Sequence, residues 1–140
     1  MSISVTGYHH IRLTVCDIDR SRAFYDAVFG LPVAIQMPPD ADEATRAQLA
    51  FLYGGVVYAI GSGLFGLRPV ADGGDRFDEN RVGLDHISFQ VGSVDELNDA
   101  VAVLDALGVA HEGVKDLGMG SILEFRDPDG VALELFAPAG

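Results

Sequence analysis

One pattern is written twice along this chain. HHIRLTV (residues 9–15) and DHISFQV (85–91) each set a histidine at the head of a run that alternates polar and apolar side chains. Each run is followed by a helical signature and then by further short alternating segments. A period of two marks a strand with one buried face, and a spacing of three to four marks a helix packed by one stripe. The chain therefore reads as strand, helix and further strands, twice over. Two such units are too few to close a solenoid by stacking, so they are expected to pair into one sheet with the helices covering its outer face. That is an α+β architecture.

In the first unit, Ile11, Leu13 and Val15 form the face turned to the helix, and His10, Arg12 and Thr14 the opposite one. DIDRSRAFYDAVFG (17–30) then offers Asp17 or Asp19 as N-cap, Phe24 and Val28 one turn apart, and Gly30 as a stop. QMPPDADEATRAQ (36–48) has no continuous apolar stripe and reads as a solvated excursion or short surface helix. The Gly54-Gly55 pair in QLAFLYGGVVYAIGSG is expected to turn a hairpin between two short strands. The Gly, Pro and Asp content of 66–81 reads as loop.

In the second unit, Ile87, Phe89 and Val91 are on one face and His86, Ser88 and Gln90 on the other. SVDELNDAVAVLDALG pairs Ser93 with Glu96 as a capping box, carries Leu97, Val101, Leu104 and Leu107 as a stripe, and stops at Gly108. SILEFR and VALELF form a hairpin around Asp127-Pro128-Asp129-Gly130, whose residues suit a tight turn rather than chemistry. The divisions are a first module over about 7–65, a linker over about 66–82 and a second module over about 83–137, within a single domain spanning 1–140. A chain of 140 residues is the common size for one core.

Charge narrows the partners. Nine Lys and Arg against 21 Asp and Glu leave a net charge of −12, which repels nucleic-acid backbones and anionic membranes. The opening MSISVTGYHH has no basic stretch followed by an apolar one, and no long apolar run occurs, so the expected location is cytoplasmic. Cys16 has no second cysteine to pair with and reads as a small hydrophobe in a strand.

With the helices on the apolar faces, the polar faces gather His10, Arg12, Thr14, His86, Ser88, Gln90 and, by alternation in VALELF, Glu134. Two imidazoles and a carboxylate can serve a divalent ion and leave it open to substrate. They can equally satisfy one another by hydrogen bonds. His9 falls on the other side by parity and is expected to pack or lie at the surface. His111, just past a helix stop, is expected to be solvated.

HHIRLTVCDIDRSRAFYDAVFGL, GLDHISFQV and EFRDPDGVALELF, in that order over about residues 7–137, resemble the vicinal oxygen chelate superfamily. That group includes glyoxalase I, type I extradiol dioxygenases, fosfomycin-resistance enzymes, methylmalonyl-CoA epimerase and bleomycin-resistance proteins. The resemblance implies two βαβββ modules, a cupped eight-stranded mixed sheet with helices outside, and a metal in the cup. By position it places His10, His86 and Glu134 on the family's ligand places for a divalent ion such as Fe, Mn, Zn or Ni. It also implies a homodimer in which one site draws on both chains.

Glyoxalase I has a fourth ligand in its first module, and the repeat carries Glu134 back to Ala59, which has no donor. A set of two histidines and one glutamate resembles the dioxygenases and fosfomycin-resistance enzymes instead, although no basic cluster for fosfomycin stands out in 66–81. The expectation is a metal-dependent enzyme, dioxygenase-like or lyase/isomerase-like, acting on a small chelating molecule; Arg12 is expected either to orient that molecule or to pair with a neighbouring acid. The alternative is a non-catalytic protein that sequesters a drug or toxin, as bleomycin-resistance relatives do.

Overall fold

The computed structural model describes residues 1–140 and divides into two units, Met1–Gly74 and Asp75–Gly140. Each unit holds one mixed sheet of four strands with the same connectivity. In the first, β1 (His10–Thr14), β2 (Val33–Ile35), β3 (Val56–Ile60) and β4 (Gly63–Arg68) take the order β1-β4-β3-β2. In the second, β5 (Ile87–Gln90), β6 (His111–Asp116), β7 (Gly120–Arg126) and β8 (Ala132–Pro138) take the order β5-β8-β7-β6. The pairs β1–β4 and β5–β8 are parallel and the others antiparallel.

Alternation in the sequence becomes alternation in burial. Leu13 and Val15 are buried and Thr14 is exposed; Leu133, Leu135 and Ala137 are buried while Glu134 and Phe136 stay partly accessible. Helix α1 (Ile18–Val28) begins where the Asp17 carboxylate accepts the Arg20 N–H at 3.0 Å, and the chain leaves it through Gly30 at φ +58°. Its Tyr25 ring lies 5.3 Å from Phe65 and stacks on Phe29 at 6.0 Å. The Tyr58 hydroxyl donates to Asp26 at 2.7 Å and ties β3 to the same helix.

Helix α3 (Val94–Ala106) starts at Ser93, whose Oγ accepts the Glu96 N–H, and it stops before Gly108 at φ +68°. Leu97 and Leu104 are buried against β6, β7 and β8, each contributing about 1.5–3 kcal/mol of hydrophobic stabilisation. Leu107, expected in the stripe, is the C-cap and is exposed, because the helix has ended before its side chain turns back to the sheet.

Two local expectations are corrected and one strand is added. No strand leads directly into Gly54: a 3₁₀ turn over Ala50–Leu52 buries Leu52, and the chain reverses through Tyr53 at φ +51° and Gly54 at φ +82°. The hairpin lies at Gly61-Ser62, where Ile60 pairs with Gly63. Gly55 answers a steric demand instead, since a Cβ there would sit 1.9 Å from the Leu67 carbonyl oxygen. Strand β4 runs through Arg68, into the stretch read as loop, because its parallel partner β1 continues to Thr14. Strand β6 was hidden because HEGVKD is an edge strand with little alternation and a bulge between His111 and Val114. The excursion carries a short surface helix, α2 (Glu43–Gln48), capped by Asp42 and burying none of its residues.

Candidate functional site

In the second unit, the polar face gathers around Glu134. This residue pairs in register with Ser88 on β5 and with Glu124 on β7, so three polar side chains cross the sheet side by side. The Ser88 hydroxyl donates to Glu134 Oε1 at 2.7 Å. His86, one residue before β5, brings Nε2 to 3.9 Å from Glu134 Oε2, while its Nδ1 lies 2.5 Å from Asp85 Oδ1. The hydrogen bond to Asp85, opposed by partial burial and reinforced by the charge of Glu134, raises the imidazole above its ordinary pKa.

A cavity of about 560 Å³ opens over this face, lined among others by His86, Lys115, Glu124, Arg126 and Glu134. Both cations in it are engaged. Lys115 Nζ bonds Glu124 at 2.9 Å, and Arg126 holds Glu79, whose carboxyl is thereby pulled down to about 2. The turn below it behaves as its residues promised: Asp127 Oδ1 accepts the N–H groups of Asp129 and Val131, and Gly130 takes φ +84°.

In the first unit, His10 and Arg12 line a smaller cavity of about 180 Å³, with apolar walls from Ile11, Ile35, Phe51, Val57 and Leu64. Arg12 meets no acid there. Its guanidinium donates to the Phe51 carbonyl and lies 6.0 Å from the Phe51 ring centroid. His9 lines the same cavity, its Nδ1 2.8 Å from that of His10. Parity had placed it on the opposite side, but the strand begins at His10 and strand alternation does not govern the residue before it.

The register also corrects the counterpart of Glu134. Strand β8 corresponds to β4, and Gly66 faces Arg12 in β4–β1 as Glu134 faces Ser88 in β8–β5. Ala59 lies on β3, opposite Leu64, where the second unit has Arg126 opposite Ala132. A constant offset fails because the excursion carrying α2 lengthens the first unit between β2 and β3. The first unit still offers no carboxylate at that place.

Sequence reasoning missed the partners of the site. Asp85 and His9 precede strands, where no periodicity applies, and Glu124 was read only as part of a hairpin. His111 is not simply solvated: its Nε2 bonds Asp105 of α3 at 2.8 Å and its Nδ1 accepts the Gly113 N–H, which pins the start of β6 to the helix. The structure thus brings His86 together with Glu134, and His10 together with Arg12. No three His, Cys, Asp or Glu side chains of a single chain form a group able to hold a metal ion.

Two βαβββ units, each with an imidazole at the head of its first strand and a polar sheet face, define a class of small α+β proteins with an internal repeat. The chain belongs to the Glyoxalase/Bleomycin resistance protein/Dioxygenase superfamily, whose model matches residues 7–135. It is 31% identical over 134 residues to the uncharacterized protein YaeR of Escherichia coli (strain K12), covering 91% of this chain and 93% of that one. Among solved structures it is similar to a glyoxylase/bleomycin resistance protein/dioxygenase domain from Frankia sp. EAN1pec, with 29% identity, TM-score 0.76 and coverage of 97% and 94%. It shares the fold of the fosfomycin resistance protein FosX from Listeria monocytogenes in complex with Mn(II) and sulfate, at 22% identity, TM-score 0.69 and coverage of 97% and 93%.

Proposed function

We propose that this protein is a divalent-metal-dependent enzyme acting on a small oxygen-bearing molecule that chelates the ion. One observation carries the reading: His86 Nε2 and Glu134 Oε2 face each other at 3.9 Å on the wall of an open cavity. That separation exceeds a hydrogen bond and approaches the roughly 3–3.5 Å between two donors that share an ion at about 2.1 Å each. A small side-chain rotation closes the difference. The Mn(II) complex of FosX, a protein of the same fold, supports a divalent ion in general.

His86 and Glu134 hold the ion from the second unit, and His10 completes the set from a second copy of the chain. Strands β1 and β5 stand at the edges of their sheets, and Tyr8 and Val82 just before them are fully exposed, which suits pairing between copies. When bound, the ion supplies Lewis-acid polarisation of a chelating substrate or, as Fe(II), a meeting point for substrate and dioxygen. Gly66, with no side chain where Glu134 has a carboxylate, leaves a coordination place to substrate and argues against a glyoxalase I reaction. Arg12, beside His10, orients an anionic or carbonyl oxygen of the substrate. The chemistry is dioxygenase-like or lyase/isomerase-like.

Titration of the purified protein with Zn(II) and Mn(II) tests this. His10→Ala, His86→Ala and Glu134→Ala are each expected to weaken binding by tenfold or more. Unchanged affinity in all three overturns the site, and the sequestering module becomes the reading to pursue.

A further inference from the structure

The two histidines proposed as metal donors share a local arrangement. Asp85 precedes His86 and meets its Nδ1 at 2.5 Å; His9 precedes His10 and meets its Nδ1 at 2.8 Å. A carboxylate only accepts hydrogen bonds, so the proton of neutral His86 is on Nδ1 and the Nε2 lone pair is left toward Glu134. The pair of imidazoles has one proton between the two facing nitrogens. When His10 supplies it, its own Nε2 is likewise free. Glu134 is held in the same manner, since the bond from Ser88 to Oε1 leaves Oε2 to face His86.

We infer that Asp85, His9 and Ser88 are positioning residues: the residue before each histidine sets its tautomer so that Nε2 is the donor, and Ser88 fixes which oxygen Glu134 presents. The inference rests on the proposed metal site and assigns these residues no contact with ion or substrate. Outer partners of this kind are generally worth ten- to hundredfold in metal affinity. Asp85 and His9 are both exposed, so replacing them uncovers no core.

The test uses the full chain, labelled with ¹⁵N and free of metal, at a pH where the rings are neutral. Long-range ¹H–¹⁵N spectra are expected to show His86 and His10 protonated on Nδ1. Asp85→Ala should shift His86 toward the Nε2–H form that a free histidine side chain favours, and His9→Ala should do the same to His10. Asp85→Asn, which keeps an acceptor oxygen, and His9→Asp, which supplies one, should hold the Nδ1–H form. In parallel, Asp85→Ala, His9→Ala and Ser88→Ala should lower Zn(II) affinity about ten- to hundredfold, with Ser88→Thr recovering most of the loss. Tautomers unmoved by Asp85→Ala and His9→Ala overturn the inference, whatever the metal titration shows. Unchanged affinity in His10→Ala, His86→Ala and Glu134→Ala strikes the metal reading instead, and the metal-free spectra still decide the positioning roles.

Discussion

At the scale of single residues, the chain assigns backbone work and chemistry to different positions even where they are close together. Gly130 stands four residues before Glu134, yet its role is conformational. It takes φ +84°, and a Cβ there would come within 2.9 Å of the Arg76 guanidinium that leans over the turn. Gly130→Ala is expected to cost about 1 kcal/mol or more, read as a lower midpoint in urea, with turnover per folded molecule retained. A variant with an unchanged midpoint and lost turnover would show that the turn takes part in the chemistry. Gly66 illustrates a different use of glycine: its φ is unremarkable and a Cβ would sit 3.1 Å from Arg12 Cγ and 3.5 Å from Val57 Cγ2, so what matters is the absence of a carboxylate opposite Arg12.

At the scale of elements, each sheet and its helix are joined by apolar stripes and by a few polar ties across them. The tie from Tyr58 on β3 to Asp26 on α1 is the one with a pH signature. Burial, with help from the hydrogen bond to Asp26, pushes the phenol from 10.0 up to about 12. The folded chain therefore keeps this proton longer than the unfolded chain does. The resulting stabilisation is complete below pH 10 and declines as pH rises toward 12. Urea unfolding of Tyr58→Phe is expected to show a flatter alkaline limb than the parent. Parallel limbs in the two proteins would remove Tyr58 from the account.

At the scale of the whole molecule, the proposed ligands are divided between the units, with His10 in one and His86 and Glu134 in the other. A site that joins units from two chains predicts complementation. His10→Ala and Glu134→Ala proteins, each inactive alone, should regain activity when their subunits are exchanged, with one intact site per mixed dimer. No recovery after exchange verified by mass would place the site within one chain. No helix of the protein is long and apolar enough to cross a membrane.

The sequence by itself determined whatever local periodicity and end signals control. Alternation from Leu13 to Val15 and from Val131 to Leu135 decided which faces are buried, whereas Ile11, expected on the buried face, is exposed on the wall of the His10 cavity; Asp17 and Ser93 set where α1 and α3 begin, and Gly30 and Gly108 set where they end. These depend on neighbours within a turn or a strand. Tertiary structure alone decided which residues stand opposite one another. The counterpart of Glu134 is Gly66 and not Ala59, strand β6 exists because β7 pairs with it, and Asp85 meets His86 at a place where no period applies. Register between strands is set by the length of every connection between them and by the burial of both partners at once, so an insertion such as the α2 excursion moves the correspondence while leaving each local pattern intact.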